Sequence, residues 1–360
     1  MAKSYRDYGG ALLTRREWMR LGAHSRDLAG PEFTTVFHGH LTLTDRPMTF
    51  DAMAWVLQDA VLPGSVLSHS SAALIWGIPL PLQLDDGVAR ILGREDGERR
   101  GGPLPALADD RSLRSGAALP LLHCRIAPGT GAGTIRGVRV HRWEPGPTMT
   151  SGRLLVSSPS ETLRELATVL PRWDLVAAID AVLAGRTSCP PTSPEQLREH
   201  LATMRGHRGV AELRRALDLA RERAWSPGET IMRLIITGTG FPEPSLNLPV
   251  QERRGGRQRY LDLVWSAAGC VLEYDGDGHR TKQQWREDEM RRDEIAALGW
   301  TVIRATGADL QRPRRILVRL ADALGARGIE VPGEARINTY LADLGRSRPS
   351  WRIAGAPPPW

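Results

Sequence analysis

The chain has 360 residues, 41% of them apolar, and a formal net charge of +7. That length predicts two or three domains, and the apolar share is ample for buried cores. No apolar run is long enough to span a bilayer and no signal peptide opens the chain, so the expectation is a cytoplasmic protein with no membrane partner.

The positive balance favours a polyanionic partner. Lysine stands only at Lys3 and Lys282, so the excess is almost wholly arginine. The Arg-, Ala-, Gly- and Pro-rich usage of a GC-rich genome produces the same balance without any partner. Cys124, Cys189 and Cys270 are odd in number and far apart. They fit neither a disulfide framework nor a zinc spacing, and they agree with a reducing compartment.

Residues 13–43 read as a small helix–turn–helix followed by a β-hairpin. Thr14 and Glu17 have capping-box spacing. Trp18 and Leu21 share the apolar stripe that begins there, Gly22 ends the helix, and Ser25 can cap a second, short one. Apolar alternation over 33–43, around His38-Gly39-His40, suits a two-stranded wing in which both histidines are turn residues. A winged helix–turn–helix is a common DNA reader; a scaffold without DNA contact fits the same pattern. The stretch resembles the N-terminal winged domains of abortive-infection (AbiEi-type) antitoxins. The resemblance implies a domain over 1–48 and a toxin or defence-system partner.

A middle α+β region is expected over 49–205. Helical periodicity covers 51–62 and 68–76, the second ended by Gly77. Residues 97–105 form a Gly-, Arg- and Pro-rich loop, and 121–127 and 137–143 alternate as strands. Ser158-Pro-Ser-Glu161 and Ser193-Pro-Glu-Gln196 each place Ser at the N-cap and Pro at the first helical position. Nothing in this region suggests a catalytic centre.

The third region, 206–328, contains an arginine-studded helix over 209–224 and a helix start at Ser226-Pro-Gly-Glu229. A hairpin follows: a strand over 259–265, a turn over 266–269, and a return strand over 270–275. If Trp265 pairs with Cys270, counting back puts Asp262 opposite Glu273. Opposed side chains share a face at ~5 Å, and Asp275, two residues on, projects from the same face. Carboxylates so placed repel one another unless a cation holds them, and oxygen-rich sites suit Mg²⁺ or Mn²⁺. The segment 329–360 is expected to be a Pro- and Arg-rich, partly ordered tail.

Each candidate residue also has a plainer reading. Asp262 fits a solvent-exposed strand position as well as a metal ligand; its relation to Glu273 favours the ligand. Glu273 fits a carboxylate paired with an arginine such as Arg304. Asp275 precedes Gly276 and fits a turn cap. Glu229 is explained by a capping box with Ser226 alone. His279 and Lys282 fit ordinary positions at the start of a helix over 281–298.

The hairpin resembles the core of the PD-(D/E)XK nucleases. The wider run from Asp262 through Glu273-Tyr-Asp275-Gly-Asp-Gly-His279, Asp288 and Arg291 to Gly299-Trp-Thr-Val-Ile-Arg304 resembles very-short-patch-repair endonuclease-like domains. The resemblance covers about residues 226–328. It implies a mixed sheet flanked by helices and Mg²⁺-dependent hydrolysis of DNA, in DNA repair or in defence against phage and mobile elements. Asp262 and Glu273 would hold the metal, with Asp275 or Glu229 as a further ligand. His279 would donate a proton or contact a phosphate, and Lys282, Gln283 and Arg304 would contact the nucleic acid. Asp275 stands where the standard motif has a lysine. That departure supports a rival reading: a non-catalytic, DNA-binding, antitoxin-like regulator built on a degenerate nuclease fold.

Overall fold

Thr14 and Glu17 exchange hydrogen bonds: the hydroxyl accepts the Glu17 N–H at 3.3 Å and the carboxylate accepts the Thr14 N–H at 2.7 Å. This reciprocal cap starts the first helix in a computed structural model that describes residues 4–46, 48–80, 122–142, 146–204, 206–251, 258–275 and 299–347. The chain divides into two units. One comprises Met1–Val169, Thr187–Pro190 and Gly206–Gly209; the other comprises Leu170–Arg186, Pro191–Arg205 and Val210–Trp360. The described residues form an α+β architecture with three sheets.

In the first unit, β1 (Leu13–Thr14) leads into α1 (Arg15–Arg20), and β2 (Phe33–Phe37) and β3 (His40–Leu43) form the expected hairpin. Together they make a sheet of order β1-β3-β2. Trp18 anchors α1 to it. Its buried indole donates to the Leu41 carbonyl at 2.8 Å and its ring packs with Tyr5, Leu28 and Phe33. The second short helix is a 3-10 turn, Asp27–Ala29, with Arg26 rather than Ser25 at the N-cap position. The Asp27 carboxylate folds back to accept the His24 N–H at 3.0 Å, and Gly30-Pro31 follow immediately, so no longer helix develops.

Next come α2 (Phe50–Val56), β4 (Val66–Leu67) and α3 (His69–Trp76), the last ended by Gly77 at φ +67°. A five-stranded mixed sheet then forms from β4 with β5 (Leu122–Ile126), β6 (Val138–Arg142), β7 (Thr148–Ser151) and β8 (Leu154–Ser157), in the order β6-β5-β4-β8-β7. Helix α4 (Pro159–Leu166) starts at Ser158, whose hydroxyl accepts the Glu161 N–H at 3.3 Å. The loop expected over 97–105 lies outside the described residues.

The second unit opens with α5 (Arg172–Leu183), α6 (Pro194–Thr203), α7 (Val210–Leu219) and α8 (Pro227–Thr239). The Ser193–Gln196 capping box forms at the start of α6. Strands β9 (Ser245–Gln251), β10 (Gln258–Trp265) and β11 (Cys270–Asp275) make an antiparallel meander, and β12 (Thr301–Thr306) adds parallel to β11. Helices α9 (Gly307–Gln311), α10 (Arg314–Gly325) and α11 (Glu334–Ser347) follow. The core lies between this sheet and α8 and α10: Met232, Ile235 and Ile236 meet Leu263, Leu272 and Ile303, with Leu317 and Leu320. Each such side chain contributes about 1.5–3 kcal/mol on burial. The tail expected from 329 onward contains the ordered helix α11, whose Ile337 is buried in the same core.

Candidate functional site

Strands β10 and β11 pair with Trp265 opposite Cys270, Val264 opposite Val271 and Leu263 opposite Leu272. This is the register that a turn over 266–269 predicts. Gly269, at φ +54°, closes that turn in the left-handed conformation. Alternation then fixes the faces. Leu263, Trp265, Cys270, Leu272, Ile303 and Ala305 join the core beneath α8 and α10, whereas Val264, Val271 and Val302 pack on the opposite side. Glu273, Asp275 and Arg304 alternate with Leu272, Tyr274, Ile303 and Ala305, so they belong to this second face, whereas Leu261 packs there with Val264 and the alternation breaks at Asp262. Asp262, Glu273, Asp275 and Arg304 are half-buried.

Asp262 and Asp275 are each tied to a neighbouring strand. Tyr274 N–H donates to Asp262 Oδ2 at 2.8 Å, which ties Asp262 to β11 beside Glu273. The parallel register places Arg304 next to Glu273, and its guanidinium forms an ion pair with Asp275. Among the described residues, Asp262, Glu273 and Asp275 do not close into a group of ligand atoms all within 4.8 Å of one another. The hydrogen bond at Asp262 and the ion pair at Asp275 draw the outer carboxylates to different strands.

Gly228 lets α8 approach this end of β11. A Cβ at that position would stand 2.0 Å from Cε1 of Tyr274, the residue between Glu273 and Asp275. Glu229 follows on the same helix, which packs on the other side of the sheet. Its Oε1 accepts from the Ser226 hydroxyl at 2.9 Å; its Oε2 accepts from Trp225 N–H at 3.0 Å and Asn247 Nδ2 at 2.7 Å. The structure therefore joins Glu229 to the helix start and to β9. His279, Lys282 and Gln283 lie outside the described residues, as do Asp288 and Arg291.

A second constellation lies in the first unit and was not visible in the sequence. His69 opens α3, His123 lies on β5 and His141 on the edge strand β6. The parallel pairing sets His123 beside Arg139, so His141, two residues further, shares its face. His123 Nδ1 and His141 Nε2 are 2.9 Å apart, and the His69 and His141 rings stack with centroids 3.9 Å apart. One nitrogen from each histidine lies within 4.8 Å of the others, so the cluster could coordinate a divalent metal ion. His69 and His123 are buried and His141 is half-buried.

Burial, reinforced by neighbouring positive charge, keeps these imidazoles neutral. It moves the His123 pKa down to about 3 and that of His141 to about 4, and holds His69 well below the usual range. Behind them lies a buried ionic network. Arg164 binds Glu161 through two hydrogen bonds, at 2.9 and 2.7 Å, and Arg125 approaches Glu165 at 3.5 Å. The carboxylate of Glu165 accepts the His69 N–H at 2.9 Å and the Ser157 hydroxyl at 2.9 Å. Desolvation, with the nearby charge of Glu161, raises the Glu165 pKa to about 7. The sequence held one hint of this arrangement. His123 and Arg125 interrupt the apolar residues of a strand, and the strand proves buried throughout.

No family model matches the chain, and no solved structure matches it. Two uncharacterized proteins of Mycobacterium tuberculosis, one from strain CDC 1551 / Oshkosh and one from strain ATCC 25618 / H37Rv, are similar to it. Each is 28% identical over 198 residues, which cover 54% of this chain and 71% of the relative.

Proposed function

We propose that the second unit is a Mg²⁺- or Mn²⁺-dependent DNA endonuclease of the PD-(D/E)XK, very-short-patch-repair-like kind. The observation that supports this reading is the hydrogen bond from Tyr274 N–H that holds the Asp262 carboxylate at β11, between Glu273 and Asp275 and beside Arg304 of β12. The donor set fits a hard cation, because it consists of carboxylate oxygens. Asp262 and Glu273 would hold the ion. When bound, it lowers the pKa of a coordinated water and neutralises charge on the scissile phosphate.

The chain's own groups orient and balance this site. Tyr274 N–H fixes the Asp262 carboxylate. Arg304 offsets the charge of Asp275 and brings a guanidinium to the face where a phosphate would lie. In this reading His279 protonates the leaving oxygen, while Lys282 and Gln283 contact the backbone. The winged region at the N-terminus adds phosphate contacts, so binding falls with salt and is indifferent to sequence.

The ion pair between Arg304 and Asp275 also favours the non-catalytic, antitoxin-like regulator, because the lysine position of the motif holds a neutralised acid. Incubation of the full chain with supercoiled, linear and single-stranded DNA, in Mg²⁺, Mn²⁺ or EDTA, separates the two readings. Cleavage that EDTA abolishes supports the endonuclease. DNA binding with no cleavage under either metal supports the regulator.

A further inference from the structure

We propose that His69, His123 and His141 form a binding site for a borderline transition-metal ion of the zinc class. This site is in the first unit and is independent of the endonuclease reading. The donor chemistry selects the metal. Three imidazole nitrogens suit Zn²⁺, Cu²⁺, Ni²⁺ or Co²⁺, whereas Mg²⁺ takes oxygen ligands.

Three features of the cluster point to a ligand beyond ordinary packing. His123 is 2% exposed, and its Nε2 has no hydrogen-bond partner among the described residues. A buried polar atom left in that state is destabilising. His69 holds its backbone at φ +49°, a left-handed conformation that is unfavourable for a non-glycine residue. Costs of this kind persist where the surroundings enforce them and tend to cluster at functional sites.

The cap of α3 supplies the third feature. Ser68 stands at the N-cap, but its hydroxyl makes no capping bond; it lies 3.1 Å from His69 Nδ1 instead. The buried carboxylate of Glu165 takes over the orphan His69 N–H at the helix start. The serine is thereby diverted from the backbone to the imidazole. With the proton on Nδ1 and donated to serine, Nε2 keeps the lone pair that a metal needs.

The remaining environment tolerates the ion. Burial keeps all three imidazoles in the neutral form that ligates. Glu161 and Glu165 balance Arg125 and Arg164 behind the cluster. The half-buried His141 on the edge strand opens a route from solvent. Three histidines leave a further coordination position for water or an anion. Arg139 and Arg208, whose charge acts on His141, favour an anion there. The ion would fasten the start of α3 to β5 and the edge strand β6.

Titration of the full chain with Co²⁺, read by its visible ligand-field absorption, tests the site. The wild type should develop a band that saturates at a single equivalent and disappears on adding Zn²⁺. His141→Gln should lose the band, and Ser68→Ala should weaken binding by ~10–100-fold. Asp262→Asn, at the carboxylate site, should keep it. A wild type without the band, or a band unchanged in His141→Gln, would overturn the proposal. If His141→Gln fails to fold by circular dichroism, X-ray absorption at the zinc edge of the Zn²⁺-loaded wild type decides. A shell with three imidazoles is expected, and fewer than three would overturn the assignment.

Discussion

Arg304 on β12 lies beside Glu273 in the parallel register, yet its guanidinium is paired with Asp275, two residues further along β11. The pairing places one cation beside the acids of β11. Replacing Arg304 with Gln should therefore have two separable effects. Stability should fall by no more than about 1 kcal/mol, because the arginine is 34% exposed and solvent screens the pair. Mn²⁺ affinity should rise, since removing the guanidinium makes the surroundings of the acids more negative. Calorimetric titration and urea unfolding of the same protein measure both, and a fall in Mn²⁺ affinity would contradict the assignment.

Glu229 should matter to folding rather than to the metal. Removing its carboxylate in Glu229→Ala deprives buried Asn247 and the Trp225 N–H of an acceptor. Unsatisfied groups of this kind cost about 1–3 kcal/mol. Urea unfolding should report a loss of that size, with Mn²⁺ binding by the folded variant unchanged. Lost metal binding in a well-folded Glu229→Ala protein would instead return Glu229 to the ligand set.

Local signals in the sequence are legible where they concern contiguous residues. The caps at Thr14, Ser158 and Ser193, the end of α3 at Gly77 and the Trp265–Cys270 register depend on residues a few positions apart. The same counting missed what neighbouring strands contribute. Counting along the hairpin does not show that Tyr274 N–H holds Asp262 or that Arg304 pairs with Asp275. The histidine cluster was hidden for a related reason. Its members come from α3, β5 and β6, and only the sheet order brings them together.

Acid should destabilise the metal-free chain through the buried histidines. His69 and His123 stay neutral when folded, but on unfolding return toward their ordinary value of 6.5. Below pH 6.5 the unfolded chain binds more protons, so stability is lost as pH falls from 6.5 toward 4. The slope is at most about 1.4 kcal/mol per pH unit for each of these groups. Glu165 opposes this. Its pKa is raised from 4.5 to about 7, so its contribution is present below pH 4.5 and is lost as pH rises through 7. Asp180, raised from 3.8 to about 6, acts in the same sense in the second unit. Glu165→Gln should therefore show a steeper loss of stability between pH 6.5 and 5 than the wild type. Denaturant unfolding across that range measures the two slopes, and equal slopes would contradict the account.

The most direct measurement of the central claim is DNA cleavage by Glu273→Gln beside the wild type, with DNA affinity recorded in parallel. The substitution keeps the side chain's shape and removes one negative charge from the proposed metal pair, so the cation is held less well and its water is less activated. Loss of a group that stabilises the transition state typically costs ~10²–10³ in rate. Cleavage by the variant should drop by that order, while affinity for an arbitrary duplex stays close to that of the wild type. Equal cleavage by both proteins, or no cleavage by either under Mg²⁺ or Mn²⁺, would contradict a metal-dependent endonuclease built on Asp262 and Glu273.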